Sequence, residues 1–353
     1  MRIVTVRTRS ATRSSRCGHA AGPVSKRTSR LRLREVKMFG RKRLVATAVM
    51  SAAVVIGPAA HAEAEPRPPL SQPGAPEPRP RGAGDVWAVP EVLVEDEPVG
   101  VAHRGASGAA PENTLAAFRA AARMGADMVE VDVQETKDHA LVLLHDSTLA
   151  RTTDVEDVFP ERKPWKVSDF TLAEVKRLDA GSWFGKRYAG ERVPTLTEAM
   201  REMRGSGLGM LVELKDPAKY PGVERRVAEA LRADAYWTSP DPRRLVVQSF
   251  DWASVRRFDA IMPGASTALI GRPKASALRG HAAYADQVNP DHRDLTAAYV
   301  DKVHAAGMDV LTWTVNDAKG MRKALGLGVD GVITDRPDVW REVMAAAGSG
   351  AAA

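Results

Sequence analysis

Asp127-Met128-Val129-Glu130-Val131-Asp132-Val133 reads as a β-strand with two acids set into an apolar run. Successive strand residues point to opposite faces, so Glu130 and Asp132 share one face while Val129, Val131 and Val133 share the other. A strand this apolar belongs in a sheet buried on both sides, as parallel sheets are. Two carboxylates side by side repel unless a cation or a proton lies between them. A hard divalent cation is the natural occupant of an all-oxygen site.

Seven further short apolar runs, at 99–102, 208–214, 244–249, 266–270, 285–288, 309–314 and 331–334, repeat the strand pattern. Helical periodicity appears between strands at 113–124, 223–233, 252–261, 296–306 and 318–325. A short run at 140–145 reads as the hairpin partner of 127–133. Eight β/α repeats in roughly 250 residues predict a TIM (β/α)8 barrel over 98–346, with a doubly wound open sheet as the alternative. Residues 147–194 fit no β/α period and are expected to form an insertion after the second strand, lying over the barrel mouth. Residues 347–353 are expected to be a flexible tail.

The formal charge of +7 misleads. Of 51 Lys and Arg and 44 acids, 14 basic residues and only one acid, Glu35, fall within 1–62. The remainder therefore carries 37 basic against 43 acidic residues, a net of −6, which excludes a nucleic-acid binder on charge grounds. The basic excess belongs to a targeting segment. Arg41-Lys42-Arg43, an apolar stretch over 44–57, and Ala60-His61-Ala62 have the order of a secretory signal peptide over 38–62. The apolar stretch falls short of the ~20 residues that span a bilayer, so no stable membrane span is expected. Residues 1–37 are expected to be an over-extended start before Met38, or else a long basic n-region. The Pro-rich stretch 63–97 has little to bury and is expected to be a disordered linker. The single cysteine, Cys17, precedes the signal, so the exported chain would have no disulfide.

Barrel enzymes carry their chemistry at the C-terminal ends of the strands. His103-Arg104-Gly105 ends the first strand, and Gly105 permits a sharp turn and a close backbone approach to a ligand. His145-Asp146 ends the hairpin, and Glu213-x-Lys215 repeats the two-residue spacing on the third main strand. Glu213 would complete a three-carboxylate metal site with Glu130 and Asp132. Two histidines at neighbouring strand ends suit acid and base roles, and Arg104 suits phosphate oxygens. Lys215 would hold a phosphate oxygen or pair with Glu213. Trp313 would line the pocket or be plain core. Simpler readings apply elsewhere: Asn113 or Thr114 as a helix cap, His139 in a hairpin turn, Asp335-Arg336-Pro337 as a turn into the last helix, and His281, His292 and His304 as surface residues.

These motifs, with Pro111-Glu112-Asn113-Thr114, Thr136-Lys137-Asp138, Arg151-Thr152-Thr153, Val193-Pro194-Thr195-Leu196, Gln248-Ser249-Phe250 and Thr334-Asp335-Arg336-Pro337, follow in the order of one family. Over about 99–340 the chain resembles the glycerophosphodiester phosphodiesterases. The resemblance implies a metal-dependent TIM barrel that hydrolyses a small glycerophosphodiester to glycerol 3-phosphate and an alcohol. It implies His103 and His145 as the acid/base pair, and Glu130, Asp132 and Glu213 as ligands of one Ca2+ or Mg2+ ion. Arg104, Lys215 and Trp313 would contact phosphate or substrate, and no protein partner is indicated. His139 stands where the family commonly has Gly, and Ala109 where an aromatic residue is frequent, which would widen the pocket.

Two other classes fit less well. A phospholipase D-like or sphingomyelinase-like enzyme acting on intact lipid shares the two-histidine, three-carboxylate plan but often uses disulfides. A non-enzymatic secreted binding protein should have lost one of the five residues, and all five are present.

Export makes a direct prediction. Protein recovered from culture medium should begin near Glu63 by N-terminal mass spectrometry; secreted protein that retains 1–62 contradicts the signal-peptide reading.

Overall fold

The computed structural model describes residues 97–239, 241 and 243–350. The expected start, signal peptide and nearly all of the linker lie outside the described residues.

Nine strands form one sheet: β1 Val99–Ala102, β2 Met128–Glu135, β3 Leu141–Leu143, β4 Gly209–Leu214, β5 Leu245–Ser249, β6 Ser266–Ile270, β7 Gln287–Asn289, β8 Asp309–Thr312 and β9 Gly331–Thr334. The order β1-β9-β8-β7-β6-β5-β4-β2, with β1 also pairing β2, closes eight parallel strands into a barrel. β3 adds to β2 antiparallel, as the hairpin pattern predicted. Helices α1 Leu115–Arg123, α2 Val155–Val158, α3 Leu172–Val175, α4 Leu196–Met203, α5 Val223–Arg232, α6 Trp252–Ile261, α7 Leu278–His281, α8 Ala297–His304, α9 Ala318–Gly326 and α10 Pro337–Gly350 complete the described chain. The fold is a TIM barrel.

Period-two alternation divides each strand between two environments. On β2, Val129, Val131 and Val133 face outward into the core shared with α1 and α4. Met128 belongs to the apolar plug inside the barrel, with Val99, Val101, Leu211, Val246, Ala268, Leu311 and Ile333. The same inward face of β2 carries Glu130 and Asp132 one and two steps further along. The register places Asp132 beside Glu213 and Glu213 beside Gln248. Strand alternation and parallel register thus stack the polar groups above the apolar plug, at the C-terminal end.

Helix α4 is absent from the sequence-predicted elements, although its start is coded locally. Thr195 accepts a hydrogen bond from the Glu198 amide and the Glu198 side chain returns to the Thr195 amide, a reciprocal cap. α1 starts later than the 113–124 pattern predicted, because Thr114 is the cap and Asn113 is left-handed at φ 55°. β8 stops at Thr312 rather than 314, and Trp313 makes only an isolated bridge to Asp291. The segment between β3 and β4 has a core of its own, in which Val142 and Leu144 pack with Leu149, Val155, Trp165, Phe170 and Leu178. α10 continues to Gly350, past the domain end expected at 346.

On the outward face of β1, α10 lies so close that a methyl group at Gly100 would sit 2.1 Å from Trp340 Cδ1 and Nε1. Trp340 is buried and cannot swing into solvent. Gly100→Ala should therefore cost roughly 1–3 kcal/mol through overpacking, read as a lowered Tm in thermal unfolding. An unchanged Tm contradicts this packing.

Candidate active site

Glu130, Asp132 and Glu213 are all buried, and one oxygen from each lies within 4.8 Å of the other two. At that spacing each ionised pair repels by roughly 3–4 kcal/mol at an effective dielectric near 20. Two cations offset part of this. Lys215 Nζ lies 2.8 Å from Glu213 and 3.6 Å from Asp132, and Arg104 Nε lies 3.3 Å from Asp132. The Arg104 amide donates to Glu130 Oε2 at 2.8 Å. Glu130 Oε1 and Asp132 Oδ1 nevertheless have no hydrogen-bond donor. Buried acceptors without donors are costly and rare.

The titration of the three groups reflects this imbalance. Burial, then Asp132 and Glu213, push the Glu130 carboxyl well above its usual range, only partly offset by Arg104. Burial and Asp132 push Glu213 up to about 7 against the pull of Lys215. Burial opposes ionisation of Asp132 too, but Lys215 and Arg104 outweigh it and hold that group low. The three oxygens fit a hard divalent cation by chemistry and by the two unsatisfied acceptors.

His103 and His145 line one open cavity with Arg104, Glu130, Glu213, Lys215, Gln248, Phe250 and Trp313. All eight sequence-predicted site residues thus lie in or directly under one mouth; buried Asp132 touches both lining cations. Each histidine is held at Nδ1 by a carboxylate: His103 by Asp335 at 2.7 Å, His145 by Asp146 at 2.8 Å. Arg151, on the segment after β3, binds Asp146 through Nε at 2.6 Å and Glu112 through both terminal nitrogens. Glu112 also accepts from Arg104 at 3.0 Å. That segment therefore reaches the site through Arg151, while no residue of 147–194 lines the cavity. The Arg151 hydrogen bonds hold the Asp146 carboxyl at about 2. Burial, reinforced by Arg104 and Lys215 against Asp132 and Asp146, lowers His145.

The neighbouring side chains refine or change the sequence reading. Gly105 packs against α1, where a Cβ would come within 2.6 Å of the Ala117 methyl. Asn113 is not a cap; its Nδ2 donates to Asp132 Oδ2 at 2.8 Å and its Oδ1 accepts the Asp132 amide. Trp313 uses its N–H on the Asn289 carbonyl, so only its ring, edge-on to Phe250, is left for a ligand. Ala109 does not line the cavity; its carbonyl accepts from Tyr188 and Arg187. His139 keeps the left-handed turn at φ 62° that a glycine would adopt more easily. Two residues were missed. Asp335, read as a turn, touches His103. Gln134, the next inward residue on β2, donates to the carbonyls of Leu144, His145 and Asp146 while accepting from Tyr220, and so fixes the His145 loop. Strand alternation beyond Asp132 pointed to Gln134; nothing local pointed to Asp335.

Glu213 gives a pH signature. Its folded value of about 7 lies above the usual 4.5, so its stabilising contribution is complete below about 4.5 and is lost as pH rises through about 7. Cation-free protein should lose on the order of 1–3 kcal/mol across that window, and Glu213→Gln should flatten the loss. A Tm that rises steadily from pH 4.5 to 7.5 in chelator, unaffected by the substitution, contradicts it.

Residues 103–339 match the model of the glycerophosphoryl diester phosphodiesterase family. The Bacillus subtilis protein YhdW is 40% identical over 243 residues, covering 67% of this chain and 94% of the relative. The glycerophosphodiester phosphodiesterase of Caldanaerobacter subterraneus is 36% identical over 244 residues, with the same coverage. The structure of an Oleispira antarctica phosphodiesterase, solved with the product sn-glycerol-3-phosphate, superposes with a TM-score of 0.63 at 31% identity, covering 70% of this chain and 97% of that one. With its barrel and its site in agreement, the chain belongs to the glycerophosphoryl diester phosphodiesterase family, whose members are phosphoric diester hydrolases.

Proposed function

We propose that this protein is an exported, cation-dependent glycerophosphodiester phosphodiesterase that uses His103 and His145 as acid and base. The observation that carries the reading is the convergence of both histidines, Arg104 and Lys215 on one cavity above three buried carboxylates. Glu130, Asp132 and Glu213 would hold one Ca2+ or Mg2+ ion, since all three offer only oxygen. That cation supplies charge neutralisation of the phosphodiester and polarisation of phosphorus. Arg104 and Lys215 add positive charge at the cavity wall, where a water-poor setting strengthens it. With Nδ1 held by carboxylates, each histidine has Nε2 as its free nitrogen. One would take the proton of the attacking hydroxyl or water, and the other would return a proton to the leaving alkoxide. Phe250 and the ring of Trp313 give the substrate's carbon skeleton an apolar wall. Among the described residues no helix is long and apolar enough to cross a membrane. Export rests on the amino-terminal pattern alone.

Each histidine should contribute on the order of 10²–10⁴ in rate. His103→Ala and His145→Ala should each lower kcat on glycerophosphocholine by that factor with the fold intact by circular dichroism. A variant with wild-type kcat removes that histidine from the mechanism. Chelation should abolish hydrolysis and added Ca2+ or Mg2+ restore it; full activity in chelator refutes the cation requirement.

A further inference from the structure

Asp335 lies 232 residues from His103 in sequence, yet its Oδ1 is 2.7 Å from His103 Nδ1. We infer that Asp335 is a positioning residue for His103, fixing the ring in the Nδ1–H form so that Nε2 faces the substrate cavity. The inference rests on the two-histidine reading above.

The surrounding hydrogen bonds aim the Asp335 carboxylate at the His103 ring. Asn316 Oδ1 accepts the Asp335 amide at 2.8 Å and the Thr334 hydroxyl at 3.1 Å. Those two donors fix the orientation of the Asn316 amide, so its Nδ2 must point at Asp335 Oδ2, which it does at 2.6 Å. Ser107 donates its hydroxyl to Asp335 Oδ1 at 2.9 Å. Both oxygens of Asp335 thus receive donors from rigid neighbours, and the carboxylate can only accept. A nitrogen 2.7 Å from such an acceptor must carry a hydrogen. His103 Nδ1 is therefore the protonated nitrogen of the neutral ring, and Nε2 is the lone-pair nitrogen. The backbone holds the pair in register as well: the His103 amide donates to the Thr334 carbonyl and the Gly108 amide to that of Asp335. The carboxyl sits at about 2: burial works against ionisation, but the His103, Ser107 and Asn316 hydrogen bonds prevail.

The other histidine supplies a contrast. Asp146 also holds a ring Nδ1, but the Arg151 guanidinium binds both of its oxygens. Asp335 receives only neutral hydroxyl and amide donors besides His103. The imidazole is the one group among its side-chain partners that can carry positive charge, so the effect of Asp335 on the rate should run through His103.

An asparagine at 335 would present an N–H where the pattern requires acceptors, against either Asn316 Nδ2 or the Ser107 and His103 donors. Asp335→Asn should lower kcat on glycerophosphocholine by on the order of 10²-fold or more, with KM changed by no more than about threefold. In a His103→Ala background the same substitution should change the rate by less than about threefold, because its path to the reaction is already cut. Equal losses from Asp335→Asn in both backgrounds would mark a merely structural role and overturn the inference, as would an unchanged rate in the single variant. A second measurement needs no variant. ¹⁵N-histidine NMR of the wild-type protein, with its ring neutral, should show His103 as the Nδ1–H tautomer; an Nε2–H tautomer overturns the inference whether or not the variants fold. If His103→Ala retains wild-type activity, the two-histidine reading has failed. If His103→Ala is inactive while Asp335→Asn is fully active, this inference alone has failed.

Discussion

Three buried carboxylates with oxygens within 4.8 Å of one another form the constraint around which the mouth of this barrel is arranged. Such a cluster is unfavourable by itself, through both desolvation and mutual repulsion. The barrel holds it open because β2 and β4 are pinned by six register pairs, with valines on the outward face buried among helices. Arg104 and Lys215 compensate part of the charge, and burial with the neighbouring carboxylates shifts Glu130 and Glu213 toward their neutral forms. The acceptors still unsatisfied on Glu130 and Asp132 are the features a divalent cation would satisfy.

Around that cluster the two histidines have similar carboxylate partners at Nδ1 and different surroundings. His103 stands on the turn after β1, whose Arg104 is left-handed at φ 56° and whose backbone is tied to Glu130. His145 stands after β3, with its loop fastened by Gln134. One supporting carboxylate is neutralised by Arg151 and the other is not. Two rings of one residue type thus sit in unlike electrostatic settings, which suits the proposed division between acid and base.

Much of this was legible in the chain because the signals are local. Glu130-x-Asp132 and Glu213-x-Lys215 declare a shared face by strand alternation alone. The apolar runs on both sides of each acid declare a buried parallel sheet. What was not legible depends on distant contacts or on departures from local preference. Asp335 looks like a turn residue because its partner lies just after the first strand, and only the pairing of β1 with β9 brings them together. Asn113 sits where a cap belongs, yet its left-handed backbone turns it toward Asp132, and Thr114 caps instead. β7 was placed at 285–288, but pairing with β6 runs to Asn289, whose side chain reaches Gln248.

The proposed cation site should be held partly protonated until the cation arrives, because burial and the neighbouring carboxylates raise Glu130 and Glu213. Calorimetric titration of Ca2+ or Mg2+ into chelator-stripped protein at pH 6, repeated in buffers of different ionisation enthalpy, counts the protons released on binding. With Glu213 at about 7 and Glu130 also raised, binding should release about one proton or more per cation, and the release should shrink as pH rises above 8. No binding, or binding whose heat is independent of the buffer at pH 6, would contradict the account.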